Sequence, residues 1–187
     1  MNVPTESNSY KCIDANSPKT FGQLIADGLL LDPIASVSTP QRLIIRGSVI
    51  VDYNNSGWPD EYVFAPGSEI VMVSNTGSMI INPGKTLHLN NTSVHGCIFL
   101  WKEILVKAGG SLKVDNSSEI KDAFAAIKAE PGSSLSVMNS QFSGNFVSME
   151  LGDKNATSVG VVTILSGGAI SGNVFEGVDE IARKKSQ

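Results

Sequence analysis

One phrase recurs three times in the middle of this chain, and it leaves few folds open. Pro83-Gly84-Lys85-Thr86-Leu87-His88-Leu89-Asn90-Asn91-Thr92 is followed by Ala108-Gly109-Gly110-Ser111-Leu112-Lys113-Val114-Asp115-Asn116-Ser117. The third copy is Pro131-Gly132-Ser133-Ser134-Leu135-Ser136-Val137-Met138-Asn139-Ser140. Its leucines stand at 87, 112 and 135, so the period is 25 residues and then 23. A unit of that length, made of a glycine turn, a short alternating strand and an Asn-Ser/Thr bend, is the mark of a solenoid.

Such a unit cannot bury its apolar side chains alone, so each coil must stack on the next. In Leu87-His88-Leu89, Leu112-Lys113-Val114 and Leu135-Ser136-Val137, the outer members face inward and the middle one faces solvent. Coils spaced at about 4.8 Å turn the inward residues into continuous aliphatic columns. Asn91, Asn116 and Asn139 fall in register at the bend. Asparagine tolerates a left-handed backbone there, and its amide can bond to its copy in the next coil, a structural ladder. Val94, Ile120 and Phe142 open a second strand. Ile104–Val106, Ala126–Ile127 and Val147–Met149 supply a third. The expected fold is all-β: a right-handed single-stranded parallel β-helix, or solenoid. A sandwich would lack the fixed period, and a leucine-rich repeat would carry Leu-x-x-Leu-x-Leu with helices.

The rest of the chain divides around that body. Residues 1–19 are polar and turn-rich and read as an N-terminal arm. Thr20-Phe21-Gly22-Gln23 has the form of a capping box, Phe21, Leu24 and Ile25 share a helical face, and Gly28 is placed to end the helix. A helix over 20–27 is too short to stand alone, so it is expected to cap the first coil of a β-helix domain spanning 20–178. Arg42–Asp52 reads as two strands bent at Gly47, and Asn54–Asp60 as a loop. A loop at 152–158 comes after the third copy, and residues 179–187 form a charged tail.

Cys97-Ile98-Phe99-Leu100-Trp101-Lys102-Glu103-Ile104-Leu105-Val106-Lys107-Ala108-Gly109-Gly110-Ser111-Leu112 resembles the C…W-x-x-I-x-V-x-x-G-G-x-L segment of pectate-lyase-like β-helix regions in large secreted proteins of Bacteroidetes-type bacteria. Ile120–Ile127 and Phe142–Asn145 are similar to the next segments of those regions, and the resemblance covers roughly residues 20–150. It implies a domain of a longer chain exported to the cell surface, with an extracellular location. It implies no particular enzymatic activity.

The residues themselves bound the chemistry. The formal charge is −4, with 14 basic against 18 acidic side chains and no basic run in the body of the chain, which speaks against nucleic acid as a partner. No apolar run reaches the roughly 20 residues of a membrane-spanning helix, so no membrane insertion is expected, and the first residues do not read as a signal peptide. A lyase on this fold needs an acidic cluster for Ca²⁺ and a basic residue to take a proton. Asp115, Glu119 and Asp122 lie near Lys113 and Lys121, but Asp115 aligns with Asn90 and Met138, so no acidic column forms. Asp52, Asp60 and Asp153 are too scattered for a glycosidase pair. His88 reads as an exposed polar position, and His95 has no Cys, Asp or second His at ligand spacing. No metal, cofactor or catalytic set is assigned. Cys12 and Cys97 are either two free buried thiols or a disulfide tying the arm to the solenoid. Trp58, with Tyr53 and Asp60, is the candidate binding site, a platform on which a sugar ring of a polysaccharide or surface glycan could stack. The sequence therefore points to a non-catalytic scaffold, adhesion or glycan-binding domain, with a polysaccharide lyase or glycoside hydrolase as the alternative.

Overall fold

The computed structural model describes residues 9–152 together with strands Val161–Leu165 and Val174–Gly177. The chain is a parallel β-solenoid of about four turns. Its first two strands are long: β1 (Lys11–Thr20) and β2 (Arg42–Val51), with helix α1 (Phe21–Ala26) between them. Among the described residues fourteen shorter strands come next: β3 (Glu61–Phe64), β4 (Glu69–Met72), β5 (Ser78–Ile81), β6 (Thr86–Asn90), β7 (Ser93–Gly96), β8 (Trp101–Val106), β9 (Ser111–Asp115), β10 (Glu119–Lys121), β11 (Ala123–Ala129), β12 (Ser134–Met138), β13 (Gln141–Asn145), β14 (Val147–Leu151), β15 (Val161–Leu165) and β16 (Val174–Gly177).

Three faces result. Face one is β3-β6-β9-β12-β15; face two runs β2-β4-β7-β10-β13-β16; face three runs β2-β5-β8-β11-β14. The pairings among these strands are parallel, and the register puts like residues on like. Tyr62, Leu87, Leu112, Leu135 and Val162 form one column, and Phe64, Leu89, Val114, Val137 and Ile164 the next. On face two the column is Leu43, Ile70, Val94, Ile120, Phe142 and Phe175. Those of these residues that lie between 43 and 142 are buried at 1% exposure or less. Each fully buried aliphatic side chain is worth about 1.5–3 kcal/mol, and the columns hold the coils in register.

The bends are set by residues that accept a left-handed backbone. Gly84, Gly109 and Gly132 have φ of 75°, 77° and 84°, and the amides of Gly84 and Gly109 donate to the carbonyls of Gly109 and Gly132 one coil on. At the next bend Asn91, Asn116 and Asn139 have φ of 46°, 54° and 46°. The middle coil has one residue more here, Ser117, also left-handed at 68°. The side-chain amide of Asn116 donates to Asn90 Oδ1 at 2.9 Å, so that contact runs diagonally, to the neighbour of Asn91.

The cap forms as the sequence indicates. Thr20 Oγ1 accepts from the Gln23 amide, the Gln23 side chain accepts from the Thr20 amide, and Gly28 comes after the helix with φ 69°. Phe21 packs edge-on against Tyr62 at 4.8 Å and Phe64 at 6.2 Å, so α1 covers the interior where face one begins. Gln41 Nε2 donates to Tyr62 Oη, which donates to the Leu31 carbonyl, and the Leu31 amide donates to Gln41 Oε1.

The arm requires a correction. Residues 11–20 form β1, in parallel register with β2 from Lys11↔Leu43 to Thr20↔Ile50. Only Ile13 and Ala15 of β1 are buried hydrophobics, so alternation is too brief to announce a strand; the long pairing with β2 supplies what composition does not. The cysteines need one as well. Cys12 and Cys97 are both free and both exposed, neither buried nor bridged. Cys12 pairs with Ile44, Ile44 with Val71 and Val71 with His95, which puts three strand spacings, roughly 14 Å, between the coils that carry them. A disulfide needs Cα atoms within about 7 Å.

Candidate functional site

Asp60 and Lys85 precede the first strands of consecutive coils, and Glu61 pairs with Thr86, so the two stand side by side. Lys85 Nζ lies 2.6 Å from Asp60 Oδ1 and 4.7 Å from the centre of the Tyr53 ring. Tyr53, just after β2, is buried; its ring meets Trp58 at 6.1 Å and Tyr62 at 6.2 Å, both edge-on. Trp58 is half-buried against the core. The register thus brings Tyr53, Trp58 and Asp60 together and adds Lys85, which lies 25 residues after Asp60.

Two buried polar atoms at this corner have no partner among the described residues, Tyr53 Oη and Asn82 Oδ1. Burial pushes the Tyr53 phenol well above its ordinary value, and Asp60 adds to the rise. Asn82 Nδ2 donates to Asp52 Oδ2 at 2.8 Å. A half-exposed indole beside a carboxylate and an ammonium offers both the stacking and the hydrogen bonding that a hydroxyl-rich ligand uses.

Farther along face one lies a charged set that the sequence does not reveal. Val63, His88, Lys113 and Ser136 form its outward column. His88 sits between two carboxylates, with Nε2 2.9 Å from Asp115 Oδ1 and Nδ1 3.4 Å from Glu61 Oε1. Lys113 Nζ reaches the same Glu61 oxygen at 2.9 Å. A glycosidase needs one carboxyl kept protonated by apolar surroundings near one that is ionised. Here each carboxylate faces a nitrogen base or cation instead.

Face two repeats the theme. His95 Nε2 is 3.1 Å from Glu69 Oε1 and its Nδ1 is 2.8 Å from the Gly96 carbonyl, while Tyr10 Oη donates to Glu69 Oε2 at 2.6 Å. The Tyr10 hydrogen bond, then that of His95, holds the Glu69 carboxyl below its ordinary value. Of the acids considered for a lyase, Glu119 pairs with Lys121 at 2.8 Å and Asp115 with His88. Asp122 occupies a left-handed bend at φ 59°. No group of three or more His, Cys, Asp and Glu is placed to hold a metal ion among the described residues, and no described helix is long and apolar enough to cross a membrane. Residues 153–160, with Asp153 and most of the loop expected at 152–158, and the tail 179–187 lie outside the described residues.

Hydroxyls of the bends stitch the coils internally. Ser68, Thr92, Ser118 and Ser140 are all buried. Ser118 Oγ accepts from the Thr92 amide and donates to the Leu89 and Asp115 carbonyls, and Thr92 Oγ1 donates to the Phe64 carbonyl. Ser68 Oγ accepts from the Gln41 amide. Thr92 and Ser140 directly follow the bend asparagines Asn91 and Asn139, Ser118 comes one residue later after Asn116, and Ser68 has no asparagine before it. Trp101, fully buried, donates through Nε1 to the Lys121 carbonyl at 2.8 Å, and buried Asn145 accepts from the Ala123 amide and donates to the Ile120 carbonyl.

Comparison with protein-family models, with curated proteins and with solved structures finds no match for the chain. What stands of the resemblance drawn from Cys97–Leu112 is the parallel β-solenoid itself.

Proposed function

We propose that this chain is a non-catalytic scaffold or adhesion domain that binds glycan at the Trp58 corner, as part of a longer protein on a bacterial cell surface. The observation that carries the reading is how the polar side chains are used. Glu61, His88, Lys113 and Asp115 hold one another across three coils, and the bend hydroxyls hold the backbone. Trp58, Asp60 and Lys85 stand at the edge of that face, where an incoming sugar can reach an indole, a carboxylate and an ammonium.

The test is binding and product analysis on one panel of polysaccharides and oligosaccharides. Wild type should retain a glycan that the Trp58→Ala variant releases, with the glycan's mass unchanged after incubation. Shortened or unsaturated products that disappear in Glu61→Gln would replace this reading with the alternative, a carbohydrate-active enzyme that uses the carboxylates flanking His88. The cellular setting is checked by antibody labelling of intact cells, where signal only after permeabilisation would contradict a surface location.

A further inference from the structure

Two opposite charges stand at the Trp58 corner, and they are not equally available to a ligand. The side chain of Asp60 is 75% exposed, whereas that of Lys85 is 16% exposed. The ammonium is engaged twice, by Asp60 Oδ1 at 2.6 Å and by the Tyr53 ring, whose centre is 4.7 Å away. Tyr53 is itself buried, so Lys85 is held on the inner side of the pair and the carboxylate is its outer member. The neighbouring charges are engaged or farther along the stack. Asp52 Oδ2 accepts from Asn82 Nδ2 at 2.8 Å, and Glu61 is held by Lys113 and His88. The Asn82 amide donates to the Val51 carbonyl and the Lys107 amide to that of Ile81. Lys107 therefore stands two coils beyond Asp52, roughly 10 Å along the axis.

Given the glycan reading of the Trp58 corner, on which this rests, we propose that the ligand is a neutral glycan and that Asp60 is the residue that selects it. A carboxylate offers about four lone-pair positions, and Lys85 takes one of them on Oδ1. The others accept hydroxyls, and hydrogen bonds to an ionised acceptor are the stronger kind. A pyranose stacked on the indole carries its hydroxyls around its edge, in reach of a carboxylate two residues along the same loop. A uronate would instead set a second anion against the outward carboxylate, while the ammonium that could offset it is already committed. An amino sugar meets a pair whose charges sum to zero, so its added cation gains little over a hydroxyl. Lys85 positions Asp60 and is not an anion receptor.

Isothermal titration calorimetry tests this with neutral hexasaccharides of glucose, mannose, galactose and xylose, set against those of galacturonate and glucosamine. Wild type should bind at least one neutral hexamer about tenfold or more tighter than the galacturonate hexamer. That affinity should change less than about twofold between about 50 and 500 mM salt. Asp60→Ala removes the acceptor and releases Lys85, so it should weaken the neutral ligand about tenfold and strengthen galacturonate. Loss of fold cannot produce such a reversal, and the wild-type ranking decides even should the variant fail to fold. Galacturonate or glucosamine bound as tightly as the best neutral hexamer would overturn the proposal. If Trp58→Ala abolishes that binding, the glycan reading stands without it. A folded Asp60→Ala variant that keeps the wild-type affinities and ranking would also overturn it. A wild type that binds no hexamer overturns both this and the glycan reading.

Discussion

At the scale of single residues, the bends decide the fold. Ser118 is the clearest case because one hydroxyl takes part in three hydrogen bonds inside the stack. Ser118→Ala removes the acceptor of the buried Thr92 amide, and leaving such a donor unpaired costs about 1–3 kcal/mol; urea unfolding should report a loss in that range. Gly47 is less tolerant still. Its φ is 94°, and a Cβ there would lie 2.0 Å from the Ala15 carbonyl oxygen, in the pairing between β1 and β2. Glu69 makes stability depend on pH. Its carboxyl is held below its reference value of 4.5, first by Tyr10 and then by His95. A depressed acid stabilises the fold fully above its unfolded value, and the contribution disappears as pH falls through the lower, folded one. Unfolding midpoints should therefore drop below about pH 4.5, and more steeply in wild type than in Glu69→Gln; parallel profiles would rule out Glu69 as the source.

At the scale of elements, the cap and the corners show what a sequence discloses. The capping box at Thr20 is a local signal, legible because the groups that satisfy each other lie within a few residues, whereas Gly47 lies inside the single strand β2 and answers to Ala15 of β1. The repeated strands are legible because Leu87, Leu112 and Leu135 recur at nearly constant spacing. Strand β1 is not, since its partner β2 lies some thirty residues on and only Ile13 and Ala15 of its own face inward. For the same reason Tyr53, Trp58 and Asp60 can be grouped from one loop, whereas Lys85 and Glu61 cannot. Glu61-Tyr62-Val63-Phe64 lacks the Leu-x-Leu phrase, so nothing in the chain announces that it stacks against Thr86–Leu89. His88 then looks solitary in sequence while its two carboxylates come from neighbouring coils. The cap itself is open to measurement. Phe21 is buried on Tyr62 and Phe64, and Phe21→Ala should cost about 3–5 kcal/mol. A loss under about 1 kcal/mol by chemical unfolding, the level of an exposed site, would show that α1 does not close the solenoid.

At the scale of the whole molecule, each coil touches only its neighbours, so stability accumulates along the axis and surfaces are assembled coil by coil. The Trp58 corner and the Glu61–His88–Asp115 set each draw on two or more coils, and neither exists without the register. The two free, exposed cysteines test that register directly. Cys12 lies on β1 and Cys97 just past β7, three strands away on one face. With nitroxide labels on both thiols, dipolar spectroscopy should return a single short separation on the order of 15 Å between backbone positions, set by the strand spacing of about 4.8 Å. A broad distribution or a separation beyond about 30 Å would contradict the stack, since three strand spacings cannot reach it.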